Sequence, residues 1–157
     1  KWLDLRKNFP TTKLHFIGTI QSRKMKSIFH NCDEIHSVDR IKIVQEIKKL
    51  ETEAKIEKDY FLQINTGDEM QKSGVALAEV DEFINQCLTE YNLKIKGLMC
   101  IPPVNENPKP HFNTLKDIAN NYQIKCLSMG MSNDYETAIQ CGATHIRIGT
   151  SIFGERI

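Results

Sequence analysis

Apolar positions after residue 13 follow two alternating patterns. Six short runs are rich in β-branched, aromatic and long apolar residues: 14–19, 34–38, 60–65, 95–101, 125–130 and 145–150. Between them, apolar residues recur at three- and four-residue steps, which places them on one helical face. Residues 40–58 carry Ile43, Ile47, Leu50 and Ala54 in this way, and residues 79–91 carry Val80, Phe83, Ile84, Cys87 and Leu88. The pattern over 113–122 is weaker. A short helix is predicted over 134–141, with Asn133 and Glu136 at capping-box spacing and Gly142 as its stop. Residues 23–32 predict one more helix. The proline-rich stretch PPVNENPKP (102–110) reads as a surface connection.

Strand and helix therefore alternate, and most strands are apolar on both faces. That combination predicts a parallel sheet covered by helices. Six strands fit an open doubly wound sheet, or a (β/α)8 TIM barrel of which about six of the eight βα units are present. Neither G-x-G-x-x-G nor G-x-x-x-x-G-K-[ST] occurs, so the open sheet loses its commonest functional reading. In the barrel, the last two strands run into GMSND (130–134) and GTSIFG (149–154). Barrels often bind phosphate with the loops after their last two strands.

Composition narrows the classes. The 157 residues suffice for one domain with a real core, expected to span 1–157. With 21 basic and 20 acidic residues the net charge is +1, which gives no electrostatic basis for nucleic-acid or anionic-membrane partners. No run approaches a transmembrane length, and the first ten residues lack a signal-peptide stretch. Five cysteines (32, 87, 100, 126, 141) without C-x-x-C spacing predict free thiols in a cytoplasmic protein and no disulfide framework. No metal site is expected, because the cysteines and the five histidines (15, 30, 36, 111, 145) are dispersed. Those histidines are expected at the surface or in packing roles. The chain starts at Lys1, so it is expected to be a processed, trimmed or incomplete product.

Four residues carry candidate chemistry. Ser132 offers a hydroxyl beside the start of the helix near Asp134, either to a phosphate or as an ordinary helix cap. Gly149 lets the backbone approach a ligand oxygen, and Thr150 adds a hydroxyl; an ordinary strand-ending turn is the alternative. Arg147 sits mid-strand, on the face opposite Ile146 and Ile148 and shared with His145. A guanidinium pointing into a barrel needs either an ion-pair partner or a polar ligand.

LHFIGTIQSRK (14–24), INTGDEMQKSG (64–74), KGLMCIPP (96–103) and LSMGMSNDYETAIQCGATHIRIGTSIFGER (127–156) together resemble the YggS/PROSC family of pyridoxal 5′-phosphate (PLP) homeostasis proteins. The resemblance implies the barrel of the alanine racemase N-terminal domain, with PLP as cofactor and binding partner. It implies that Ser132 bonds the PLP phosphate, that Gly149 and Thr150 complete the phosphate cup, and that Arg147 faces the pyridine nitrogen. It implies intracellular PLP carriage or buffering without established turnover, no catalytic residue in this chain, and a monomeric full-length protein.

The chain departs from the family pattern at three places. Arg23 stands where the family usually has asparagine, which alters the loop after the first strand. The Schiff-base lysine and the strand after it are absent, so Leu14 aligns with the start of the third of eight strands. The chain also stops at Ile157, a few residues short of the family's usual end. Lys72 matches a family lysine that is not the Schiff-base residue, and a surface role is expected for it. An open remnant of this kind is expected to self-associate through its edges. Other readings are a PLP-dependent racemase or decarboxylase relative, and a decayed fragment retaining only the phosphate cup.

Overall fold

A computed structural model describes residues 2–69 and 72–154 of the chain. Met70 and Gln71, within the INTGDEMQKSG block, lie outside the described residues, as do Lys1 and the last three positions of the expected 1–157 domain. Seven strands are found among the described residues: β1 (His15–Phe16), β2 (Glu34–Val38), β3 (Asp59–Asn65), β4 (Val75–Ala76), β5 (Ile95–Met99), β6 (Cys126–Met131) and β7 (His145–Arg147). All pair in parallel, in the order β1-β2-β3-β5-β6-β7, with β4 pairing β3 off this path. The expected edges, at the first and last runs, are the edges observed.

The helices are α1 (Trp2–Asn8), α2 (Met25–Asn31), α3 (Ile41–Ala54), α4 (Val80–Thr89), α5 (Pro108–Asn121), α6 (Tyr135–Gln140) and α7 (Thr150–Phe153). Helix α3 buries Ile43, Val44, Ile47 and Leu50 and ends where Lys55 turns left-handed (φ 53°). Helix α5 starts five residues earlier than the apolar pattern alone predicts. Asn107 caps it by accepting from the Lys109 amide (3.1 Å), and Pro108 occupies the first helical turn, where its missing N–H costs nothing. The latter part of the proline-rich stretch is therefore a helix start, not a loop.

Around α6 the capping-box expectation fails. The N-terminal residue is Asp134, and no side chain caps the helix. Instead, Asp134 Oδ1 accepts from the Met131 amide (2.5 Å) while the Asp134 amide donates to the Met131 carbonyl (3.0 Å). These bonds tie the loop 131–134 to itself. Gly142 adopts φ 99° just past the helix, as a stop residue does.

The sheet is strongly curled. Five lateral steps in a flat sheet would hold β1 and β7 roughly 24 Å apart. Yet the His15 ring of β1 and the His145 ring of β7 have centroids 6.1 Å apart. This is a partial barrel with a concave inner face. The apolar core, including Phe29, Ile35, Ile47, Leu62, Ile84 and Phe112, fills the space between sheet and helices.

Candidate functional site

The inner face is polar because of strand parity. On β2, Glu34 and His36 point inward between Ile35 and Ser37. On β7, His145 and Arg147 point inward on either side of Ile146. Phe61 on β3 stacks on the His36 ring (centroids 3.9 Å, interplanar angle 17°). It has room because its register partner on β5 is Gly97, where a Cβ would lie 2.2 Å from Phe61 Cε1.

Ser128 on β6 joins these groups. Its Oγ lies 2.9 Å from His36 Nδ1 and accepts from Arg147 Nη1 at 2.9 Å. Arg147 Nη2 donates to the Cys100 carbonyl (2.8 Å). Both hydrogen bonds go to uncharged acceptors, and among the described residues no carboxylate pairs with this cation. Burial lowers the Arg147 pKa, an effect opposed by Cys100 and Asp134. Burial also pushes the Cys100 thiol up to about 12, against the lowering effect of the Arg147 charge. Burial holds His36 neutral with a pKa of about 3, an effect the charges of His15 and His145 reinforce.

The loops after β6 and β7 meet at Ser132. Its Oγ accepts from the amides of Gly149 (3.2 Å) and Ser151 (3.4 Å). Ser132 therefore does not cap α6, the alternative the sequence left open; it ties the β6 loop to the start of α7. Space beside Gly149 is open: a Cβ there would meet nothing within 4 Å. The Thr150 hydroxyl has no partner among the described residues. An open cleft of about 1340 Å³ runs from His15 and His36 past Ser128 and Arg147 to Ser132, Gly149 and Thr150. The structure thus brings the four sequence-predicted residues to one cleft.

Other expectations resolve locally. Lys72 pairs with Glu69 (2.5 Å) in a surface loop. Arg23 donates to the Gln21 side chain (3.3 and 3.4 Å) just before α2. Sequence reasoning missed Ser128, which links two strands, and the grouping of His15, His36 and His145. The available signal was parity: each histidine sits inside an apolar strand run, on the face that also carries Arg147.

The chain is similar to known proteins in sequence and in fold. The family model of the alanine racemase N-terminal domain matches residues 2–157. The pyridoxal phosphate homeostasis protein of Pasteurella multocida is 37% identical over 161 residues, covering 96% of this chain and 69% of that protein. The chain belongs to this family. The Aquifex aeolicus member is 40% identical over 151 residues, covering 90% of this chain and 66% of its own length. The chain thus spans about two thirds of the length of these relatives of the YggS/PROSC family. PipY of Synechococcus elongatus, solved with PLP bound, superposes with a TM-score of 0.86 at 27% identity, over 96% of this chain and 74% of that one. An alanine racemase from Clostridium difficile, at 15% identity and a TM-score of 0.73, shares the fold. Among the described residues no helix is long and apolar enough to cross a membrane.

Proposed function

We propose that this chain is the phosphate- and ring-binding part of a cytoplasmic PLP homeostasis protein, which carries or buffers PLP without turning substrates over. The reading treats residues 1–157 as one PLP-binding domain, with Ser132, Gly149, Thr150 and Arg147 as the binding residues. The observation that carries it is the donor set of the cleft. At one end, two backbone amides converge on a single oxygen, Ser132 Oγ. A phosphate oxygen can take those N–H groups while the Ser132 and Thr150 hydroxyls donate to its neighbours. At the other end, a guanidinium is held by neutral acceptors alone. The donors present therefore fit PLP, and relatives of the same family carry its name.

Bound PLP supplies an aldehyde that reacts with amines and a pyridine ring that withdraws electrons. Arg147 orients that ring by donating to its nitrogen. A guanidinium has no proton to give up at neutral pH, and its charge disfavours a second positive charge beside it. The ring nitrogen would therefore stay unprotonated, which weakens electron withdrawal.

The test is PLP titration of the chain by absorbance, with inorganic phosphate as competitor. Ser132→Ala and Arg147→Gln are each expected to weaken binding about tenfold or more, or about 1.4 kcal/mol. Unchanged affinity in both variants would overturn the site assignment. Amino-acid racemisation by the PLP-loaded protein would overturn the carrier reading.

A further inference from the structure

The inner face carries a second cluster that the PLP reading does not use. His15 Nδ1 and His36 Nε2 lie 3.1 Å apart, and each lies 3.6 Å from Glu34 Oε2. The three atoms form a nearly equilateral triangle. Bonds of about 2.0–2.2 Å from zinc to nitrogen or oxygen give tetrahedral edges of about 3.3–3.6 Å. Two edges of the triangle match one face of such a tetrahedron, and the third, between the two imidazole nitrogens, would open by about 0.2 Å or more to do so.

We propose that His15, Glu34 and His36 form a binding site for a divalent transition-metal ion of the zinc type. Three further observations support it. Glu34 is 4% exposed, and its Oε2 has no hydrogen-bond partner although it is buried. Lys96 engages the other oxygen, Oε1, at 2.5 Å, which fixes the carboxylate and leaves Oε2 aimed at the two imidazoles. His36 Nδ1 is held by Ser128 Oγ. That contact lets Nδ1 carry the ring proton and leaves the Nε2 lone pair for a metal, the outer-shell arrangement usual for ligating histidines.

Without metal, one imidazole N–H bridges to the other ring. On binding, the donating ring changes tautomer: its bridging nitrogen gives its proton to solvent while its other nitrogen takes one from solvent, so both lone pairs point to the ion with both imidazoles neutral. Two imidazoles and one carboxylate leave a fourth tetrahedral position, and the cleft lined by His15 and His36 gives water access to it. Exchange with solvent is assured because the His15 side chain is 27% exposed. The site uses none of the four residues proposed to hold PLP, so the two proposals fail separately.

The experiment is titration of the chain with Co²⁺ and Zn²⁺, without PLP. One equivalent of Co²⁺ is expected, with the intense visible bands of a tetrahedral site. X-ray absorption of the zinc-loaded chain is expected to show nitrogen and oxygen neighbours with imidazole scattering and no sulfur. His15→Ala and Glu34→Gln are each expected to weaken binding at least tenfold. Absence of stoichiometric binding, sulfur ligation from the free cysteines, or full retention in both variants would overturn the proposal. The absorption spectrum decides on the unmodified chain even where a variant fails to fold.

Discussion

Gly130 is the residue whose substitution tests the construction of the cleft most directly. It lies in β6, two residues before Ser132, with φ at 94°. An added Cβ would stand 2.6 Å from Ala138 Cβ and 3.1 Å from Tyr135 Cα, both on α6. Gly130→Ala therefore carries two costs. Left-handed backbone costs a residue with a Cβ about 1–2 kcal/mol, and overpacking a close contact costs about 1–3 kcal/mol. The sum, about 2–5 kcal/mol, corresponds to a fall in Tm of about 4–20 °C for a chain of this size. The steric part can be isolated. Ala138→Gly removes the methyl group at 2.6 Å and by itself costs about 1 kcal/mol of helix propensity. In the double variant the steric contact vanishes while the backbone cost remains. Urea unfolding followed by circular dichroism on the four proteins is expected to give a favourable coupling of about 1–3 kcal/mol. A Gly130→Ala cost below about 0.5 kcal/mol, or a coupling near zero, would refute the argument that β6 and α6 touch through Gly130.

Three other outcomes are expected. Tyr60 is fully buried and donates to Glu51 Oε1 at 2.9 Å, so Tyr60→Phe should cost about 1.5–3 kcal/mol in urea unfolding, and a cost under about 0.5 kcal/mol would show the bond contributes little. Burial pushes the thiols of Cys87 and Cys100 up to about 12, from 9.0. Above pH 9 the unfolded chain then binds fewer protons than the folded one, so stability should fall with rising pH, by up to about 1.4 kcal/mol per unit for each thiol; the same burial should make half-exposed Cys126 react with iodoacetamide well before either, and equal rates would refute it. The open edges of β1 and β7 should make this chain associate in a concentration-dependent way on size-exclusion chromatography, and a concentration-independent monomer would refute that.

Much of this fold was legible because period and parity are local properties. The run 34–38 is β2 to the residue, and the apolar spacing of 40–58 contains α3. Alternation alone set Arg147 on the face opposite Ile146 and Ile148, shared with His145. What escaped was set by partners distant in sequence. The pattern over 113–122 missed the first turn of α5 because Asn107 and Pro108 start it without apolar residues. Strand β4 and helix α7 are too short to show a period. Asn133 and Glu136 have capping-box spacing, yet Asp134 closes the turn on Met131 instead. Ser132 was visible as a loop hydroxyl. That it receives amides 17 and 19 residues away depends on how the two loops dock. The histidines looked dispersed for the same reason: 15, 36 and 145 are far apart in the chain and become neighbours only when the sheet curls.

That curl has a mechanical meaning. Between the first and last strands of the arc, His15, His36, Phe61 and His145 touch in sequence across the hollow, with centroids 3.9 to 6.1 Å apart. They act like the string of a bow, with the backbone ladder as its limb. The radius of the arc then depends on a few rings as well as on strand twist. Because Ser128 ties that string to Arg147, slackening it would widen the cleft and carry the guanidinium away from the loops around Ser132.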